Sequence, residues 1–474
     1  MRSQVGLYFV LVVGSLLLVA GLSLFGLEFG FIFIAAVVGI PILGYSIVNL
    51  RFGILTLLCY SYFLGLSRYL PDIPMGVAMD VMLGVMLLGL LISKWSSRDY
   101  ATASNAISVV VWIWIIYNVF EFLNPMASRQ VWIYVIRGIA LLMMFYFIVL
   151  QATNSLQFIK KLIHVWLGLT LVAAVYGLFQ EFHGLTEAEK AWVAEDEFRF
   201  DLIFNWGRYR IFSFFSDPTI FGILMAYTGL FCVAMMAGPF KFGYKIILGL
   251  LACIFLLAMV YAGTRTAFAM VPAGLLFFAL LTLQRRTLMI CGVLGAIGAG
   301  IIFSDIRNVG PFLSTSNLER IRSAFKPGED ASFQVRERSQ AFIKPFIQSH
   351  PFGAGLGSIG IWARRFTPDS PLSKFAPDSG YVRVAVELGW FGLLIYCVFF
   401  AAILITGIRN YYRMHDPELK AYLAAILSAI FAIVIANYPQ EALIQAPTIL
   451  IFYFLMAFIV KLKKFDEQKQ HENP

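Results

Sequence analysis

Charge is what this 474-residue sequence has least of. Asp, Glu, Lys and Arg together make up 13% of it, while 60% is hydrophobic and the mean hydropathy is +0.80. That balance excludes a soluble globular domain, in which about a quarter of the residues are charged. The five cysteines, Cys59, Cys232, Cys253, Cys291 and Cys397, show no CxxC spacing, and all fall in apolar runs. Neither a zinc motif nor an outer disulfide is expected from them. The five histidines are scattered, so no metal site and no cofactor is expected, and nothing points to nucleic acid. Low-complexity tracts and internal repeats are also missing.

What is present is apolar sequence in runs of about 17 to 25 residues, the length that crosses a bilayer as a helix. The expected fold is all-α: a polytopic integral membrane protein with about fourteen transmembrane helices. The spans are predicted near residues 5–25, 30–49, 52–67, 75–93, 105–121, 131–150, 158–182, 218–238, 242–262, 265–283, 287–304, 379–406, 419–437 and 445–462. No small-residue cleavage site follows the first run, so it is expected to stay as an uncleaved anchor.

Basic residues in short loops set the orientation. With both termini cytoplasmic, the inner loops hold Arg51, Lys94, Arg98, Lys160, Lys161, Lys241, Lys245, Arg285, Arg286, Arg409, Arg413 and Lys420, among others. The short outer loops hold only Arg68, Arg129 and Arg265. The chain divides into N-terminal spans (1–182), a central region with arginine turns (183–304), a large outer loop carrying short helices (305–378), and C-terminal spans with a short cytoplasmic tail (379–474). The long outer segments, 183–217 and 305–378, are nevertheless rich in basic residues, which an anionic partner outside would explain. The acidic run Glu195–Glu197 reads most simply as a solvated face.

Three helix starts at the outer face gather the polar residues. In RYRIFSFFSDP, Ser216, Asp217 and Pro218 signal a helix start, with Arg208 and Arg210 just before it. In YAGTRTA, Gly263 permits a tight turn, Thr264 is available as a cap, and Arg265 stands at the tip with a planar fork suited to phosphate. Pro272 is expected to bend the helix that follows. In FAPDSGYVRVAVELG, Asp378 precedes a span, as cap or as chemical group, and Arg383 and Glu387 lie four apart on one face. All three helices run inward, so their positive dipole ends face one leaflet and suit phosphate groups. In the large loop, Arg336 and Arg338 open a short amphipathic helix, and His350 leads into Gly353, Gly355 and Gly357. No strand precedes these glycines, which argues against dinucleotide binding.

Four pieces in this order, Arg210 with FSDP, GTRTA, HPFGAGLGS and SGYVRVAVELGWFG, resemble the O-antigen ligase and O-antigen polymerase-related membrane glycosyltransferases. The resemblance covers roughly residues 205–405. It implies a GT-C-like architecture and a donor glycan linked through diphosphate to undecaprenol. It also implies a glycan or lipid A core acceptor, and a site facing the periplasm from the bacterial inner membrane. Arg208, Arg210, Arg265, Arg336 and Arg338 would bind the diphosphate, with Arg210 and Arg265 acting in catalysis beside Asp378. Arg383, Glu387 and His350 would support them. Ligases of this family usually carry a histidine where this chain has Asp378, which leaves polymerisation of O-antigen or exopolysaccharide equally open. The competing reading from the residues is a transporter or flippase of an anionic or lipid-linked substrate.

Overall fold

The computed structural model describes residues 23, 27–69, 75–97, 104–205, 207–303, 318–319, 321–322, 325, 331–375 and 377–472. The expected first span, apart from residue 23, lies outside them, as does much of the stretch 304–330.

The N-terminal half comprises α1 (Leu27–Val48), α2 (Leu50–Tyr62), α3 (Met75–Ser97), α4 (Ala106–Phe120), α5 (Arg129–Ala152) and α6 (Leu156–His183). Side-chain caps start several of them: Asn49, Asn105, Ser128 and Ser155 each accept from a backbone N–H one turn on. The segment after α6 folds into α7 (Glu187–Ala194), α8 (Glu197–Ile203) and a two-stranded hairpin, β1 (Phe204–Asn205) with β2 (Arg208–Tyr209). Next come α9 (Pro218–Met236), α10 (Phe242–Ala262), α11 (Arg265–Thr282) and α12 (Arg285–Phe303). The large loop holds α13 (Ala331–Ser349) and α14 (Gly360–Phe366). The chain closes with α15 (Gly380–Glu387), α16 (Gly389–Arg413), α17 (Pro417–Ala436) and α18 (Thr448–Glu472).

Among the described residues nine helices are long and apolar enough to cross a membrane, and the apolar stretches Ala36–Val48, Leu50–Tyr62 and Thr287–Gly300 are shorter. The structure corrects the run expected at 379–406. It is two helices, α15 and α16, parted at Leu388, with Gly389 in the left-handed region at φ 68°. Arg383 therefore sits on a short helix ahead of the membrane-length one. α11 continues through Pro272.

Two helices form the centre. The apolar windows of α9 and α17 are 89% and 72% buried, against 28–50% for the other seven. α9 packs on α10, α11 and α17, and α11 also packs on α17. Small residues let the backbones approach where helices have only van der Waals contact to gain from each other in lipid. A Cβ on Gly274 of α11 would stand 2.1 Å from the Leu230 side chain of α9, and one on Gly222 of α9 would stand 2.8 Å from Thr264. The N-terminal ends of α9 and α11 are thereby brought side by side.

Candidate functional site

The first cluster is built on these two helix starts. Asp217 caps α9 by accepting from the N–H groups of Thr219 (2.7 Å) and Ile220 (3.1 Å), with Pro218 following it. Burial pushes its carboxyl above the ordinary value, against the pull of those N–H groups and of the nearby Arg210 charge. Gly263, at φ 62°, closes the turn between α10 and α11, and Arg265 is the first residue of α11. Thr264 does not use its side chain to cap α11. Its hydroxyl instead donates to the Pro218 carbonyl at 3.0 Å and accepts from Arg210 Nη2 at 3.0 Å.

Arg210 is the clamp of this corner. It follows the β1–β2 hairpin, and its own N–H donates to Ile203 at 2.8 Å. Its guanidinium donates from Nε to the Ala262 carbonyl (2.8 Å), from Nη1 to Leu202 (3.1 Å) and from Nη2 to Thr264. One planar fork thus ties the segment after α6 to the turn that carries Arg265. Arg208 pairs with Glu181 of α6 at 3.2 Å, and its buried Nε has no hydrogen-bond partner among the described residues. Arg265 is half-buried, at the dipole-positive end of α11.

The second cluster is built on α15. Its cap is the Ser379 hydroxyl, which accepts from the Val382 N–H at 3.4 Å, so Asp378 is released from capping. Solvent reaches Asp378, yet the surrounding chain removes enough water to push its carboxyl above the usual range, and the charge of Arg336 on α13 pulls it back. α13 packs against α15, which brings Arg336 beside Asp378. Arg338 is exposed. His350 stacks on Phe346 with ring centroids 4.1 Å apart, and its Nδ1 lies 2.9 Å from both the Phe346 carbonyl oxygen and Ser349 Oγ.

The spaced glycines wrap the end of α15 and do not line a nucleotide cradle. Gly353, Gly355 and Gly357 all have positive φ, at 70°, 89° and 74°. The N–H groups of Ala354 and Gly355 donate to the carbonyls of Val386 (2.9 Å) and Glu387 (2.8 Å), and the Gly357 N–H bonds the Glu387 carboxylate. A Cβ on Gly353 would come within 2.5 Å of the Glu387 carbonyl oxygen, and one on Gly389 within 2.0 Å of the Pro351 carbonyl oxygen. The HPFGAGLGS and ELG pieces are therefore two sides of one contact.

Arg383 pairs with Glu387 at 2.9 Å, the i,i+4 pair expected from the sequence, and with a second carboxylate that sequence reasoning missed. Glu441, in the loop between α17 and α18, accepts from Arg383 Nε and from Nη2 at 3.1 Å, a bidentate grip. That loop, residues 437–447, links the two clusters. Its Asn437 carbonyl accepts from the Gly380 N–H at 2.9 Å on one side, and its Gln445 Oε1 accepts from Ser216 Oγ at 3.3 Å on the other. Its signal in the sequence is an acidic residue in a short loop between two apolar runs.

No curated protein matches the sequence. Residues 249–397, running from α10 through the Arg265 turn and the glycine loop into α16, are similar to the family described as O-antigen ligase, whose model they match.

Proposed function

We propose that the protein transfers a glycan from undecaprenyl diphosphate onto an acceptor hydroxyl at the outer face of the bacterial inner membrane, as a ligase or a polymerase. The family match supports a glycan-transferring membrane enzyme, and the substrates are our reading of the site. The observation that carries it is the corner at α9 and α11. There two helix N-termini and Arg265 are held together by the Arg210 fork and the Thr264 hydroxyl. Helix N-termini and a guanidinium suit a diphosphate, and they are positioned before substrate arrives.

In the proposed reaction the acceptor oxygen attacks the anomeric carbon as the carbon–oxygen bond to phosphate breaks, and the electron pair leaves on undecaprenyl diphosphate. The acceptor proton passes to the Asp378 carboxylate. Negative charge grows on the departing diphosphate, so Arg265 and the helix ends stabilise the transition state more than the bound donor. Arg210 acts by holding the turn, Arg208, Arg336 and Arg338 line the approach, and Arg383 with Glu387 fixes the start of α15. Cationic stabilisation comes from arginine, and the transfer is expected to proceed without a metal. Both termini are cytoplasmic in this reading, as the loop charges require.

The test is transfer from a purified undecaprenyl-diphosphate glycan in EDTA, comparing wild type with Arg265→Ala, Arg210→Ala and Asp378→Ala at matched folded amounts. Loss of one such donor is expected to lower turnover about 10²–10³-fold. A wild type that releases no lipid diphosphate but moves the glycan across vesicles would replace transfer with transport.

A further inference from the structure

At the end of the bundle opposite the Arg265 turn, a cavity of about 440 Å³ opens between the ends of α9, α10, α11, α12, α16 and α17. Its polar wall holds Lys245, Lys420, His415, Thr282, Gln284 and Thr287. Three helices, α10, α12 and α17, begin at this end, so their dipole-positive termini lie near it.

The charges around the cavity are unevenly compensated. Among the described residues, the acidic groups at the start of α17 and on α18 are paired with lysines: Glu418 with Lys160 (2.5 Å), Asp416, the cap of α17, with Lys469 (2.6 Å), and Asp466 and Glu467 with Lys463 (3.4 and 3.6 Å). Asp416 and Asp466 also accept backbone N–H groups. Lys245 and Lys420 have none of this. Both are half-buried, and among the described residues no carboxylate lies within ion-pair distance of either. Lys420 rests over the Tyr411 ring at 5.0 Å. Two half-buried lysines border one cavity with no carboxylate in ion-pair reach among the described residues, and helix N-termini lie beside them, so an anion between them would be attracted by both.

We infer that this cavity binds a phosphate group, and that its source is the headgroup of an anionic phospholipid in the leaflet at that end of the bundle. On the orientation proposed above this is the cytoplasmic leaflet. The headgroup phosphate sits between Lys245 and Lys420, with Gln284 and Thr282 at its side. The lipid bound here would brace α9 and α11 from the end opposite the candidate catalytic corner. The inference does not depend on the transferase reading, because binding is measured without turnover.

The experiment uses the full-length, delipidated protein in detergent. Bound lipid is counted by native mass spectrometry, and Tm is followed as phosphatidylglycerol, phosphatidylcholine or inorganic phosphate is added. Phosphatidylglycerol is expected to bind and raise Tm, and Lys245→Gln/Lys420→Gln is expected to weaken it about 30-fold, roughly fivefold per lysine. Lys161→Gln/Lys241→Gln, which removes two exposed charges, should leave it unchanged. If inorganic phosphate gives the same lysine-dependent shift, the site stands and the lipid source falls. Equal phosphatidylglycerol binding by the cavity variant and wild type, or no binding by wild type, overturns the proposal. Should the double variant misfold, Lys245→Met alone is read by the same lipid count.

Discussion

Arg383 holds two carboxylates at once, Glu387 on its own helix and Glu441 from a loop 58 residues further along. Glu387 is buried, and the other two side chains are each 23% exposed. The guanidinium therefore joins α15 to the α17–α18 loop by charge-assisted bonds rather than by apolar packing.

Glu441→Ala should cost about 1.5–3 kcal/mol, the range for a hydrogen bond to a charged group. It should also lower transfer by loosening the start of α15 while donor binding is kept. A double-mutant cycle with Arg383→Ala, read by thermal unfolding in detergent, should give a coupling of about 1–3 kcal/mol. A coupling near zero would reduce the contact to a bystander.

Asp378 predicts a pH dependence with a definite sign. Its carboxyl is held above the ordinary range in the folded protein, so the folded state binds the proton more tightly than the unfolded chain. Its contribution to stability is present at pH below the unfolded value and lost as pH rises through the folded one. Asp378→Asn should thus be no less stable than wild type at neutral pH, yet inactive if the carboxylate takes the acceptor proton. Arg336→Ala removes the charge that pulls the carboxyl down and should shift the acid limb of kcat/KM to higher pH. An unmoved limb would rule out Asp378 as the base.

Thr264 is expected to act through position. Thr264→Val removes the hydroxyl that ties Pro218 to Arg210, at a cost of about 1 kcal/mol for each bond lost. It should reduce kcat more than it changes KM, and Thr264→Ser should restore most of the rate. Loss confined to KM would argue against a role in holding Arg265.

The glycine contacts give a contrast between two substitutions of the same size. Gly389→Ala puts a Cβ against the Pro351 carbonyl at φ 68°, so a loss above about 2 kcal/mol is expected from the backbone conformation alone plus the clash. Gly243→Ala in α10 meets open space and should be neutral or slightly stabilising. Thermal unfolding of the two variants side by side decides it.

The helix starts were legible because their signals are local: Asp217 before Pro218, Gly263 in a tight turn, Arg383 and Glu387 at i,i+4. The order of polar pieces along the chain also pointed to the family. The partners of Arg210 were not legible, since its guanidinium bonds backbone carbonyls at Ala262 and Leu202, which no residue type announces. Thr264 reads as a cap from its position, and only packing against Pro218 turns its hydroxyl elsewhere. Glu441 stood unnoticed in a loop without periodicity or motif. The break at Leu388 was not legible, because hydropathy records how much apolar chain there is and not where one helix gives way to the next.

The loop between α17 and α18 has a bearing on how the two clusters communicate. It is anchored to α15 by Asn437 and Glu441 and to the approach of α9 by Gln445, and α17 itself lies at the centre of the bundle. A shift of that loop cannot be absorbed by lipid at one side of the molecule. Under the proposed function it would change the spacing between Asp378 and the corner at α9 and α11, so the loop would work as a ruler set between the two.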